Sequence, residues 1–358
     1  MSEPWQQPGD SGGAGTTTPA GVRLDDDGTA LNCDLFTYVY RPGDVQYESP
    51  RPYFHPIRTA EGREVSAYRP WDHVWHKGMA WSLPNVGPWN FWGGPTYVRD
   101  QGYRNLTNDG TQEHERFVSV WADDGAGGFR EDLAWRATPQ GWEPPGPDGT
   151  YGPGGPAGSA PGDVVVRERR SVRAAVLDDT WVLTWRSEMT NVTGGSLDIG
   201  SPTTNGRENA GYGGLFWRGP RSFTQGVVLA PGFSGDAEEV RGERFEWMGI
   251  VGRHDGAAPG PEGGSAASTV LMVDPGTNPG GTPQWFVRAA PFCCICPAPF
   301  FSTEVPFAAG ETLVFEYAVV VADGASDVGR AESLAELGRG ELGRAWPGPA
   351  GSGRGEHG

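Results

Sequence analysis

Thr180-Trp181-Val182-Leu183-Thr184-Trp185-Arg186-Ser187-Glu188-Met189 is the stretch that decides the fold class. Trp181, Leu183, Trp185 and Met189 fall on one side of an extended chain, and Thr180, Thr184, Arg186 and Glu188 on the other. A period of two is that of a half-buried strand. The run Val164 to Val176 precedes it, and Asp178-Asp179 supplies a turn, so the two form a long hairpin. Working outward, Leu313, Phe315, Tyr317, Val319 and Val321 mark another strand, closed by Asp323-Gly324. Cys33 to Tyr40 and Arg116 to Trp121 read likewise. Many such runs between Gly/Pro-rich turns predict a mostly β chain, a large antiparallel β-sandwich rather than βαβ units. One helix is expected at the C-terminal end, over 331–346, where Leu334, Leu337 and Leu342 recur helically before Pro347.

Composition sets the boundaries. Residues 1–30 and 347–358 are rich in Gly, Pro and polar residues and poor in apolar ones, and read as disordered tails. Between them, 31–346 reads as a single β-sandwich domain, with 144–162 a Pro/Gly loop insertion. The formal net charge of −17 disfavours nucleic acid and anionic membrane surfaces as partners. Arg167, Arg169, Arg170 and Arg173 alternate along one run and read as a solvated face rather than a basic patch. Met1 opens a polar stretch without an export signal, and no apolar run approaches the roughly 18 residues of a membrane span. The expectation is a cytoplasmic protein. No glycine-rich stretch has the spacing of a nucleotide-binding fingerprint.

Cys293, Cys294 and Cys296 sit in the apolar run Ala290 to Phe301 and lack the paired spacing of a zinc ribbon, with Cys33 the only other thiol. They read as buried, free, structural cysteines.

Chemistry concentrates elsewhere. His55, His73 and His76 fall close together, His114 follows, and Arg51, Asp72, Trp75, Asn90 and Trp92 surround them. Aromatic faces with His, Asn, Arg and Asp suit a sugar cleft, and imidazoles suit acid/base work near neutral pH. The same residues suit a divalent metal, with His55, His114, Glu113 or Asp72 as third ligand. Because i and i+3 face opposite sides of a strand, His73 and His76 would then have to lie in a turn. Lys77 is the sole lysine and sits inside this cluster, where it reads as an ordinary residue more readily than as a base or nucleophile.

A second constellation runs from Thr204 to Arg218 and includes Arg207, Tyr212, Gly213 and Gly214. Glycines let backbone turn sharply or approach a ligand, and Arg207 with Arg218 would clamp a carboxylate or oxyanion. A surface loop followed by an ordinary strand is the plainer reading.

These stretches, Arg51 to Ile57, Asp72 to Gly78, Asn90 to Gly94, Gly211 to Gly214 with Trp217-Arg218, and Trp285-Phe286-Val287-Arg288, resemble a bacterial family labelled "methane oxygenase PmoA-like". The resemblance spans about residues 31–324 and departs at Lys77, where it implies a second histidine. The label fits a membrane monooxygenase poorly, since this chain shows no span. The family looks carbohydrate-associated, and the resemblance implies a large β-sandwich, with a galactose-mutarotase-like supersandwich as one form.

The expected function is an enzyme acting on a sugar or sugar-derived small molecule by His-based hydrolysis, elimination or epimerisation. Its candidate catalytic residues are His55, His73, His76, His114, Arg207 and Arg218. Arg51, Asp72, Asn90, Trp92, Tyr212 and Arg288 are candidate substrate-binding residues. No cofactor is assigned. A metal-dependent oxygenase or hydrolase and a non-catalytic carbohydrate-binding protein are the alternatives.

Overall fold

The computed structural model describes residues 22–123, 125–146, 149–150, 160–256 and 266–346. Residues 1–21 and 347–358 of the expected tails, and most of the expected 144–162 insertion, lie outside the described residues. Residues 22–30, which composition assigns to the first tail, form the strand Asp25–Asp26, and Val22 is buried in the core.

The hairpin forms where the alternation places it. Val164–Leu177 and Thr180–Asn191 pair antiparallel along their length, and Asp178 turns the chain at a φ of 56°. They are central strands of a nine-stranded antiparallel sheet. In spatial order it runs Phe233–Gly235, Val227–Ala230, Trp247–Arg253, Ala267–Val273, Thr312–Asp323, Thr180–Asn191, Val164–Leu177, Ala126–Arg136 and Thr111–Asp123. A second sheet, of eleven strands, is built around Tyr53–Ile57, Met79–Val86, Gly214–Arg218, Cys294–Ala298 and Gln284–Arg288. The two sheets bury one continuous core between them, where the rings of Trp81 and Phe315 lie 5.1 Å apart and those of Phe54 and Trp185 6.2 Å apart. This is the antiparallel sandwich that the sequence predicts.

The core is not wholly apolar. Glu168 and Arg170 turn inward from Val164–Leu177 while Arg167 and Arg169 turn out, so Arg170 does not join the expected solvated face. Its guanidinium donates to Glu168 at 2.9 Å, to the Tyr38 hydroxyl at 3.0 Å and to Gln112 Oε1 at 3.1 Å. Glu168 also accepts from the Trp135 indole, and Glu131 takes Tyr38 and His114. A buried charge persists only when paired and hydrogen-bonded, which this network provides.

The C-terminal helix spans Val328–Ala345, starting earlier than the leucine spacing implies because Asp327 caps it, accepting from the Arg330 N–H at 2.8 Å. Ala331, Leu334, Ala335 and Leu342 pack on Val182, Val273, Ala318 and Val320, on the outer face of the nine-stranded sheet. That cover buries Thr180 and Thr184, so the first half of the strand is enclosed on both faces while Arg186 and Glu188 stay partly exposed. Leu337 points to solvent instead of joining Leu334 and Leu342. Gly338 takes the contact position, where even a β-carbon would come within 3.0 Å of Val273. Leu334→Ala is therefore expected to cost about 2–5 kcal/mol, and Leu337→Ala no more than about 0.5 kcal/mol. Urea titration of the two variants checks this contrast.

Candidate functional site

The cleft sits on the face of the eleven-stranded sheet turned away from the core. Along Gly214–Arg218, Leu215 and Trp217 enter the core, which sends Phe216 and Arg218 to the other face. Trp285 and Val287 likewise enter, sending Phe286 and Arg288 out, and Ile295 enters between Cys294 and Cys296. The register aligns these outward residues in rows. Arg218 and Arg288 both pair with Cys294, and Phe286 pairs with Cys296. Arg218 and Arg288 thus stand two strand spacings apart, roughly 10 Å, on either side of Cys294.

The wall opposite is the turn around His73. The His73 N–H donates to the Pro70 carbonyl and the His76 N–H to the His73 carbonyl, each at 2.9 Å. These two successive turns bring residues three apart onto one side, with the rings of His73 and His76 stacked 4.7 Å apart at 14°. The turn is pinned from beneath. Arg51 donates to the carbonyls of Glu48, Ser49 and Trp75. Lys77 is buried and ion-paired with Asp44 at 2.9 Å and with Glu48, and Arg69 forks onto Glu48. Gly78, at a φ of 60°, leads back to the sheet where a β-carbon would lie 2.2 Å from the Phe54 carbonyl oxygen. Asn90 shapes the next loop, accepting from the N–H groups of Trp92 and Gly93 and donating to the Gly94 carbonyl.

Arg218 wires the histidines. Its Nη1 lies 2.8 Å from His76 Nδ1, and its Nη2 donates to Asp72 at 3.2 Å. Arginine has no acceptor, so His76 Nδ1 must accept and the ring carries its proton on Nε2. Asp72 also lies 3.1 Å from His73 Nδ1, which donates to the carboxylate and leaves the lone pair on Nε2. Burial holds His76 well below the usual imidazole range, aided by neighbouring His73 and Arg218. Burial also lowers His73, outweighing the opposite pull of Asp72. Asp72 is raised by burial, but its bonds to His73 and Arg218 outweigh that and leave it below the usual carboxylate range.

Together with Trp75, Trp92, Tyr103, Arg207, Tyr212, Phe216, Phe286, Arg288 and Phe292, the two histidines line a cavity of about 390 Å³. Tyr212 packs 4.5 Å from Trp92, and its hydroxyl lies 3.0 Å from that of Tyr103. Burial raises the Tyr212 phenol against the pull of Arg207 and Arg288, so it stays protonated.

Of the expected site residues, His73, His76, Arg207, Trp92, Tyr212 and Arg288 line the cavity, and Asp72 and Arg218 bond directly to its histidines. His55 does not: it lies against Ser66 at 2.9 Å and the Tyr68 ring. His114 belongs to Thr111–Asp123 in the other sheet, where strand alternation turns it inward to Glu131 at 2.6 Å. Arg51 and Asn90 are buried scaffold, bonded mainly to backbone. Tyr103, Phe216, Phe286 and Phe292 also line the cavity and are not among the candidate site residues of the sequence. The period-two run ending in Arg288 signals Phe286, whereas Phe292 and Tyr103 lie in turns and hairpins without periodicity. Cys293, Cys294 and Cys296 are buried and free, and burial pushes the Cys294 thiol up to about 11. Among the described residues no group of three His, Cys, Asp or Glu side chains is placed to hold a metal ion.

Residues 27–336 match the family described as "Family of unknown function (DUF6807)". The chain belongs to that family. The description assigns DUF6807 no activity. No curated protein matches the sequence. Among solved structures, the chain is similar to the "galactosidase domain of alpha-galactosidase-sucrose kinase, AgaSK", at 11% identity and a TM-score of 0.39, over 85% of this chain. The chain spans 42% of that structure, and so loose a likeness says nothing of activity. No described helix of this DUF6807 protein is long and apolar enough to cross a membrane.

Buried histidines also link the fold to pH. Burial, aided by Arg58, pushes His55 down to about 4. Unfolded, it protonates near 6.5, so its contribution to stability is complete above that pH and is lost as pH falls toward 4. His76 acts in the same direction. The urea midpoint should therefore fall between about pH 7 and about pH 5, and His55→Gln should fall less steeply than wild type.

Proposed function

We propose that the cleft is an acid/base active site for a sugar or sugar-derived small molecule. The observation that carries this reading is the wiring of two stacked imidazoles into opposite tautomers. His73 offers a lone pair at Nε2, and His76 offers an N–H at Nε2. Neither nitrogen has a protein partner among the described residues. In the proposed mechanism His73 takes a proton from the substrate and later returns it, while Asp72 stabilises the imidazolium that forms between. His76 donates a hydrogen bond to the oxygen on which charge develops. It does not serve as the base, because its Nδ1 lone pair is occupied by Arg218.

The sugar part of the reading rests on the cavity's shape and lining. Trp75, Trp92, Tyr212 and Phe286 supply ring faces suited to C–H surfaces, within a cavity the size of a small-molecule site, roughly 300–1,000 Å³. The aromatics surround a pocket and do not form a flat platform, which favours turnover over simple binding. The reaction class that suits a single base on one face is elimination, in which the proton it takes leaves with the expelled oxygen.

The test is exchange of substrate carbon-bound hydrogen in D₂O, followed by NMR over a panel of sugars and sugar acids. Wild type is expected to catalyse exchange, and His73→Gln to lose about 100- to 10,000-fold of the rate. Because His73 must be neutral and is held below the free imidazole value, the rate should rise with pH to a plateau whose midpoint lies below about 6.5. Wild-type exchange that survives His73→Gln would refute the assignment.

A further inference from the structure

We infer that the substrate carries a carboxylate, and that Arg207 and Arg288 hold it. The inference rests on the acid/base reading and names the substrate class that such a site would take. In this acidic chain most cavity-side arginines are committed: Arg218 to His76 and Asp72, and Arg221 to Asp72. Arg241 donates to the Val287 carbonyl and pairs with Glu238. Arg207 and Arg288 differ. Both line the cavity, and among the described residues neither side chain donates to a protein acceptor or pairs with a carboxylate. Arg207 lies over the Tyr103 ring at 4.7 Å, and Arg288 over Phe286 and Phe292 at 5.6 and 5.9 Å. Aromatic faces orient the guanidiniums and leave their N–H groups unspent. Partly buried cations without counter-charges are costly, and an anionic ligand removes that cost with charge-assisted hydrogen bonds.

A carboxylate fits better than a phosphate ester because of what His73 must do. A C–H bond becomes acidic enough for an imidazole only beside a group that accepts its electron pair. A carboxylate between two guanidiniums is both anchor and acceptor, whereas a phosphate ester is an anchor alone. The step balances without a further reagent. His73 Nε2 takes the proton from the carbon next to the carboxylate, and the C–H pair moves into the carboxylate to give an ene-diolate. Arg207 and Arg288 stabilise its added charge. The pair then either reclaims a proton from His73 on the same face, returning the substrate with its hydrogen exchanged, or forms a C=C bond and expels an oxygen substituent from the next carbon. That oxygen leaves with the proton carried by His73.

Equilibrium binding separates this inference from the catalytic one. Calorimetric titrations would use galacturonate, glucuronate and gluconate, the matching neutral sugars galactose, glucose and glucitol, and glucose 6-phosphate. At least one carboxylate is expected to bind about tenfold or more tightly than its neutral counterpart. Arg288→Gln and Arg207→Gln should each weaken that carboxylate about 10- to 100-fold, with the neutral sugar unaffected and Tm retained. Arg288→Lys should recover part of the loss. His73→Gln should bind it normally and not exchange its hydrogen. Equal binding of acids and neutral sugars, tighter binding of the phosphate, indifference to both arginine variants, or no binding of any carboxylate would each overturn the proposal. Hydrogen exchange on neutral sugars by wild type would, in those cases, leave the acid/base reading standing.

Discussion

The guanidinium of Arg218 has donors and no acceptor, so any neighbour that bonds to it must accept. That one constraint sets the state of the cleft. It compels His76 to present an N–H outward, and it stabilises the Asp72 carboxylate, which in turn holds the proton of His73 on Nδ1. Two identical side chains thereby acquire different chemistry. The arginine is itself fixed by backbone, since its N–H donates to the Gly78 carbonyl and its carbonyl accepts from Ala67. Those are the residues where the chain leaves and rejoins the histidine turn. Side-chain wiring and backbone pairing thus fix the same loop at both ends.

The rest of the site depends on strand alternation. Rows across Gly214–Arg218, Cys294–Ala298 and Gln284–Arg288 set arginines beside a cysteine and phenylalanines beside another. Cys294 and Cys296 stay fully buried among Trp92, Phe216, Phe286 and Phe301, where small side chains fit. Gly93 and Gly94 play a related part on the opposite wall. A β-carbon at Gly94 would lie 2.6 Å from the Trp75 ring, so their bareness lets the indole rest against backbone.

Period-two patterning made the sandwich legible, and the hairpin from Val164 to Asn191 is its clearest case. The helix was legible in existence but not in face, because Leu337 is apolar yet exposed while Gly338 makes the contact. Histidine density marks the stretch that walls the cleft and also takes in His55 and His114, which lie outside it. His55 and His114 look like His73 and His76 in sequence, but Ser66 from the following loop and Glu131 from the paired neighbouring strand of the same sheet hold them away from the cleft. Arg51 and Asn90 were misread for a related reason. Their partners are main-chain carbonyls and N–H groups, which leave no mark in sequence. Arg170 was hidden because a buried ion network has the same letters as an exposed one.

The most direct measurement is ¹⁵N NMR of histidine-labelled protein, reading ring tautomers as pH is varied. The account predicts that His76 remains neutral, protonated on Nε2, well below the pH at which free imidazole titrates. His73 should be protonated on Nδ1 when neutral and titrate below about 6.5. In Arg218→Met the His76 tautomer should no longer be fixed. A His76 ring that carries its proton on Nδ1, or that titrates like free imidazole in wild type, would contradict the wiring on which the proposed chemistry stands.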